Sequence, residues 1–258
     1  MIDTHSHLYY SDFDHDLNEV IVRAQAAGVN KIITAAVDRA TAEQCLDIAA
    51  RFPGIVFAAI GVHPSEVSKT SEDDLLWMEA MAGDPNVIAI GEIGLDIYRG
   101  ETNLAEQEVV FRRMLELAKQ TDLPVIVHHR AAGMRTIEIV EESGIKRGVF
   151  HCFSEDLAYA LRVLATGLCV SFTGNITYKN SRLPDIARAL PLEKILLETD
   201  SPFMAPAPIR GKRCEPMHVR DVVLKLAEIH GRTLDEADRI TTSAAERTFF
   251  ANRPAFSL

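Results

Sequence analysis

The segment Ile2-Asp3-Thr4-His5-Ser6-His7 sets two imidazoles two positions apart at the head of the chain. Alternate side chains of a strand share a face, so His5 and His7 would present their rings to one side, as two ligands of one metal ion must. More imidazoles and carboxylates follow, each at the end of an apolar run: His63 before Pro64, Glu92 and Asp96 in Gly91-Glu92-Ile93-Gly94-Leu95-Asp96, then His128, His151, and Glu198-Thr199-Asp200. Buried groups of this kind need partners. Nitrogen and oxygen donors without thiolates suit Zn2+, Mn2+ or Mg2+. The six candidates His5, His7, Glu92, His128, His151 and Asp200 exceed what one ion takes while keeping an open position. They suit two divalent ions sharing a carboxylate, roughly 3.5–4 Å apart, the usual device for phosphoester hydrolysis.

An isolated His-x-His pair says little. Its weight here comes from the strands that would carry the other candidates to the same place. The sequence predicts eight short apolar strands, at Met1–Thr4, Lys31–Val37, Val56–Val62, Val87–Ile93, Pro124–His128, Gly148–Phe153, Leu168–Phe172 and Lys194–Glu198. Runs such as Ile-Ile-Thr-Ala-Ala-Val are expected of parallel strands covered on both faces. Helical patterns alternate with them, and two more follow the eighth strand, at Met217–His230 and Thr233–Phe250, the second opening on the capping-box residues Thr233 and Glu236. In the fourth helical stretch Val109, Val110, Met114 and Leu117 mark the apolar face. The fold class expected is α/β, a single (β/α)8 TIM barrel formed by one domain over residues 1–258. An open doubly wound sheet would more naturally carry a glycine-rich phosphate loop, and none is present. In a barrel the C-terminal ends of all strands meet at one mouth, where barrel active sites lie.

Composition narrows the function classes. A net charge of -10 argues against a protein that coats nucleic acid electrostatically. It leaves a nuclease open, because bound divalent cations supply positive charge locally. No apolar run is long enough to span a membrane, and the N-terminus does not read as an export signal, so a cytoplasmic protein with reduced cysteines is expected. The sequence does not set the oligomeric state, and a monomer is compatible with it.

Several residues near the predicted strand ends have supporting roles to fill. Asp96 and Glu198 are expected to orient ligating imidazoles or to make core hydrogen bonds. His129 should face away from His128, and Cys152 reads as a packed thiol. His63, Arg130, Lys179 and Arg213 are the candidates for holding an anionic substrate. Arg213 belongs to Arg210-Gly211-Lys212-Arg213, beyond a proline-spaced loop that follows Asp200. Cationic donors just past a metal ligand point to phosphate.

Taken together these segments resemble the TatD family of metal-dependent deoxyribonucleases, within the amidohydrolase-like barrel superfamily. The likeness rests on Asp3-Thr4-His5-Ser6-His7-Leu8, Gly61-Val62-His63-Pro64, Gly91 to Asp96, Pro124 to His128, His151-Cys152-Phe153-Ser154, Glu198 to Pro202 and Arg210 to Arg213, in family order. It implies one metal on His5, His7, Glu92 and Asp200 and a second on Glu92, His128 and His151, with Glu92 bridging. It also implies hydrolysis of DNA phosphodiesters, single-stranded or at 3′ ends, by a 3′–5′ exonuclease, with Glu92 and Asp200 catalytic and a two-metal activated water. Departures occur at Glu155, Cys214 and within Ser243-Ala244-Ala245-Glu246; none removes a ligand. Two other readings compete: an amidohydrolase-type or aminoacyl-ester hydrolase using the same metals, and a non-catalytic barrel that binds a partner.

Overall fold

A computed structural model describes residues 1–98 and 103–251. Eight parallel strands run in sequence order around one sheet: β1 (Ile2–Ser6), β2 (Lys31–Ala35), β3 (Val56–Ile60), β4 (Val87–Asp96), β5 (Val125–Arg130), β6 (Gly148–Phe150), β7 (Cys169–Phe172) and β8 (Ile195–Leu197). Helices α1 (Leu17–Ala26), α2 (Arg39–Arg51), α3 (Glu72–Met81), α4 (Leu104–Thr121), α5 (Arg135–Ser143), α6 (Leu157–Thr166) and α7 (Leu183–Ala189) connect them, and α8 (Val219–His230) and α9 (Leu234–Ala245) follow β8. This is a (β/α)8 barrel, as the alternation of patterns predicts.

The strands are buried on both sides, which is why they read as continuous apolar runs. Ile33, Ala35, Phe57, Ala59, Ile126, Val149 and Leu196 fill the interior, whereas Ile32, Val56, Ile60, Val125 and Val127 pack outward against the helices. The floor is closed by the end of the last helix among the described residues. Its pattern predicts one helix to Phe250, but the α-helix stops at Ala245 and a π turn follows over Glu246–Phe250. This turn buries Phe249 with the interior cluster and sets the Phe250 ring 5.0 Å from that of Phe57. The predicted capping box is formed, with Glu236 N–H donating to Thr233 Oγ1 and Thr233 N–H to Glu236 Oε2. Met114 and Leu117 line the buried face of α4, but Val109 is 67% exposed and Phe111 takes the inward position.

The seam between β1 and β8 is closed near the mouth by polar groups. Asp200 N–H donates to His5 O at 2.9 Å and His7 N–H to Ser201 O at 2.7 Å. Below them, Asp3 accepts from Thr199 N–H at 2.9 Å and from the Thr199 hydroxyl at 2.6 Å, and Thr4 Oγ1 donates to Leu197 O. The mouth end of the barrel wall at this seam is therefore built from the same segments that carry candidate ligands.

Candidate metal centre

Two irregularities in the sheet aim the central side chains. The register of β1 against β2 shifts between Asp3 and Ser6, and that of β4 against β5 between Ile90 and Ile93. Such shifts re-aim side chains. Ile2 faces the interior, so strict alternation would send Thr4 and Ser6 after it. Instead Thr4 and Ser6 bond to neighbouring strands, and His5 and His7 turn into the mouth. On β4 the shift brackets Glu92. Gly94 nearby has φ +148°, and a Cβ there would lie 1.9 Å from His128 O, so only glycine lets β4 approach β5 at this level.

Glu92 is 3% exposed and lies at the centre. Its Oε2 is 3.4 Å from His5 Nε2 and 3.8 Å from His7 Nε2. Its Oε1 is 2.7 Å from both His128 Nδ1 and His151 Nε2, and 3.6 Å from His63 Nε2. Asp200 Oδ1 lies 3.3 Å from His7 Nε2 and 3.7 Å from His5 Nε2, and the two Nε2 atoms are 3.2 Å apart. Donors about 2.0–2.1 Å from a tetrahedral ion would be roughly 3.3 Å from one another. His5, His7, Glu92 Oε2 and Asp200 have that spacing.

The proton positions agree with a cation at this point. His7 Nδ1 donates to the Ala35 carbonyl at 2.8 Å, so a neutral His7 turns its Nε2 lone pair toward His5, Asp200 and Glu92; against the effect of burial Asp200 raises His7 above the ordinary imidazole range, so a metal there must also displace a proton. Lone pairs and carboxylate oxygens converging in a buried space repel unless something positive lies between them. The donor set thus fits divalent metal. Behind it, Asp96 Oδ2 is 3.1 Å from His128 Nε2, and Glu198 lies 3.9 Å from His151 Nδ1 while accepting from Ser171 and the Cys152 N–H. Asp96 has the orienting position expected of it, whereas Glu198 is beyond hydrogen-bond distance of His151 and makes the core hydrogen bonds that are the other expectation.

Electrostatics divide the imidazoles. Burial, together with the neighbouring His151, lowers His5 to about 4. Burial also pushes His128 down, but Asp96 and Glu92 reverse this and hold it at about 9. Burial would raise Glu92, yet the facing imidazoles of His151, His63 and His128 keep it well below the usual range. Burial lifts Glu198 to about 7. A metal at His128 must displace its proton.

His63 differs from the others. The Ser65 backbone N–H donates to His63 Nδ1 at 3.1 Å, and the Ser65 hydroxyl lies 2.8 Å from the same atom. A backbone N–H can only donate, so Nδ1 is an acceptor and the neutral ring carries its proton on Nε2. Burial lowers His63 to about 4, which favours this neutral form. His63 thus presents an N–H, rather than a lone pair, toward the centre.

The basic candidates separate. Arg130, at the end of β5, stacks its guanidinium 3.7 Å from the Tyr98 ring, and Lys179 is exposed; neither has a carboxylate partner among the described residues. Arg213 is a correction. Four of its five N–H groups go to Asp16, Glu215 and the Asp12 carbonyl, and Arg23 completes the network through Asp16 and Glu215. It ties the β8 loop to α1 and has little left for a substrate. Hydrogen bonds from Arg213 and then Arg23 hold Asp16 below the ordinary carboxylate range. A depressed carboxylate adds stability above its unfolded value of about 3.9 and loses it as pH falls through the folded value. Arg213→Gln should therefore cost on the order of 1 kcal/mol at pH 7, discounted for solvent screening. That cost should shrink below about pH 4, as chemical denaturation at several pH values would read.

His129 lies buried against Phe150, Phe153 and Tyr159, away from the centre. Cys152 has φ +47° and Cys214 is buried beneath Pro202, its N–H donating to Pro202 O. Sequence reasoning missed Tyr9, whose hydroxyl is 3.3 Å from His7 Nδ1, and Tyr10 and Phe203, whose rings pack 5.1 Å apart beside His7. Asp3 and Ser65 were also missed as supports. Their only signal was proximity to His5 and His63 in the chain.

The family model for TatD related DNase matches residues 2–250. The chain belongs to the TatD family. Among TatD relatives, the metal-dependent hydrolase YabD of Bacillus subtilis is 36% identical over 98% of this chain and 100% of its own. The 3′-5′ ssDNA/RNA exonuclease TatD of Cronobacter sakazakii is 31% identical over 98% of each. The solved structure of YJJV, a TatD homologue from Escherichia coli, superposes with a TM-score of 0.92 at 31% identity over 98% of each chain. This TatD barrel is a metal-dependent hydrolase acting on ester bonds. The converging donors are candidate ligands for a divalent metal.

Proposed function

We propose that this hydrolase is a two-metal deoxyribonuclease that removes nucleotides from the 3′ end of single-stranded DNA. The observation that carries the two-metal reading is the division of Glu92, with Oε2 toward His5 and His7 and Oε1 toward His128 and His151. One carboxylate between two donor sets is the pattern of a bridged ion pair. His5, His7, Glu92 and Asp200 would hold one ion, and Glu92, His128 and His151 the other. Bound divalent ions make water a nucleophile near neutral pH and offset charge on the phosphoryl oxygens. Mg2+, Mn2+ and Zn2+ all accept such donors.

The chain's own residues do the rest. Asp200, whose Oδ1 lies 3.3 Å from His7 Nε2 at the mouth, accepts the proton of the attacking water. The His63 Nε2–H, held by Ser65, donates to a phosphoryl oxygen and strengthens as charge develops there. Arg130 and Lys179 draw in the anionic strand. The activity named for the Cronobacter relative supports a single-stranded, 3′-terminal substrate. Residues 1–258 act as one hydrolase domain, monomeric and working on DNA in the cytoplasm.

The test is a metal-by-substrate matrix on chelator-stripped protein. With Mg2+, Mn2+ or Zn2+ restored, mononucleotides should appear from the 3′ end of a 5′-labelled single strand, faster than from a duplex. Turnover of an amide or aminoacyl ester without any phosphodiester cleavage would overturn the proposal in favour of the amidohydrolase-type reading.

A further inference from the structure

Phe203 lies in the loop after β8, three residues beyond Asp200, and is 46% exposed. A single exposed apolar side chain needs no explanation on a protein surface. This one is distinguished by where it is held. Its N–H donates to Asp200 O at 2.9 Å, and the turn is flanked by two residues with left-handed backbone, Asp200 at φ +55° and Met204 at φ +51°. The Phe203 and Tyr10 rings pack T-shaped at 5.1 Å and 85°, and the Phe203 centroid is 6.3 Å from that of His7. Tyr10 in turn stacks on Tyr9, whose hydroxyl meets His7 Nδ1. Phe203 is thus held by a partly buried aromatic group from the β1 loop, beside two donors of the candidate centre.

We infer that Phe203, braced by Tyr10, is a stacking platform for the unpaired base next to the scissile phosphate, which makes this site a reader of single-stranded ends without regard to base identity. The inference rests on the proposed nuclease reading and deepens it. Every base has a π face, so stacking recognises a base without choosing among bases. In a duplex that face is covered by neighbouring pairs, and unpairing must precede binding. The rest of the mouth has the same character. Arg130 lies 3.7 Å over Tyr98, itself 61% exposed, and Arg210 lies 4.5 Å over Tyr178. Neither arginine has a carboxylate partner among the described residues. Cationic groups interleaved with aromatic ones are the recurring surface for single strands, and here they occur on a chain of net charge -10.

The experiment compares wild type, Phe203→Ala and Phe203→Trp on two 5′-fluorescein-labelled single-stranded oligonucleotides. One is unmodified and the other lacks bases on its two 3′-terminal sugars. Anisotropy in excess chelator reads binding, and the metal-restored reaction reads KM and kcat. On the unmodified strand Phe203→Ala should raise Kd and KM roughly 5- to 150-fold, the range of one base–aromatic stack. On the abasic strand the same substitution should change them by less than about twofold, and Phe203→Trp should retain wild-type binding of the unmodified strand. Equal penalties on both strands would overturn the platform while leaving the nuclease reading intact, as would an unchanged KM on the unmodified strand. Failure of the wild type to cleave either strand with any metal would overturn both.

Discussion

Glu92→Gln should abolish metal-dependent hydrolysis, lowering the rate on the order of a thousandfold or more, while the barrel stays folded. The substitution keeps the volume of a side chain that is 3% exposed, so no cavity opens. What it removes is the negative charge between two groups of imidazoles. Glu92 Oε1 is 2.7 Å from His128 Nδ1 and His151 Nε2, and Oε2 is 3.4 Å from His5 Nε2. A carboxylate can face both sets with lone pairs; a carboxamide has an oxygen on one side and N–H groups on the other. The N–H side can bond to a bare imidazole in the metal-free protein, but His128, held charged by Asp96 and Glu92, loses one of its two carboxylate partners, so the melting temperature should fall while the melt stays cooperative. The same N–H side repels a cation. Metal content after dialysis, a thermal melt and the hydrolysis rate give three separate readings. A variant that keeps both its metal and its rate would show that Glu92 does not bridge. A variant that no longer melts cooperatively would show that the charge serves the fold.

The contrast with Arg213 shows why some of the site was legible in the sequence and some was not. The eight strands could be read because each is buried on both faces and is apolar for its whole length. Strand ends at the mouth were less clear, since there polar residues replace the pattern while the hydrogen-bond ladder goes on. β4 continues from Ile93 through Asp96, paired to Val127–Arg130, whereas β6 stops at Phe150, short of the predicted Phe153. The six candidate ligands were legible for a related reason: an imidazole or carboxylate at the end of an apolar strand has few ways to be satisfied. A basic residue in a loop has many. Arg213 was assigned to substrate because its true partner, Asp16, lies 197 positions away, and no local pattern could announce it. The same remoteness hid Tyr10 and Phe203, which meet only because β1 and β8 are neighbours in the closed barrel. His5 and His7 were read correctly as sharing a side, but the reason is more than strand alternation. A register shift turns both inward after Ile2, and only paired strands reveal it.

Closure of the barrel and construction of the site are one event at this seam, and Asp3→Ala should expose the coupling. Asp3 is 0% exposed and accepts from both the N–H and the hydroxyl of Thr199. Removing its carboxylate strands the two Thr199 donors at about 1–3 kcal/mol each, so a loss of roughly 2–6 kcal/mol is expected. For a domain of this size that lowers Tm by roughly 5–20 °C. Asp3 touches none of the candidate ligand atoms. Yet Thr199 precedes Asp200, and Asp200 N–H is fixed to His5 O in the next rung of the seam. Loosening that rung lets Asp200 drift from His5 and His7, so metal affinity should fall with stability. Asp3→Asn separates the two contributions. Its carbonyl oxygen still accepts from Thr199 N–H, and the Thr199 hydroxyl can rotate to accept from the new amide. It should recover most of the lost Tm and with it the metal affinity. If Asp3→Ala instead melts like the wild type, the seam is held by its backbone bonds alone. If it melts low but binds metal normally, the mouth is rigid without its lower rung, and closure and ligation are independent.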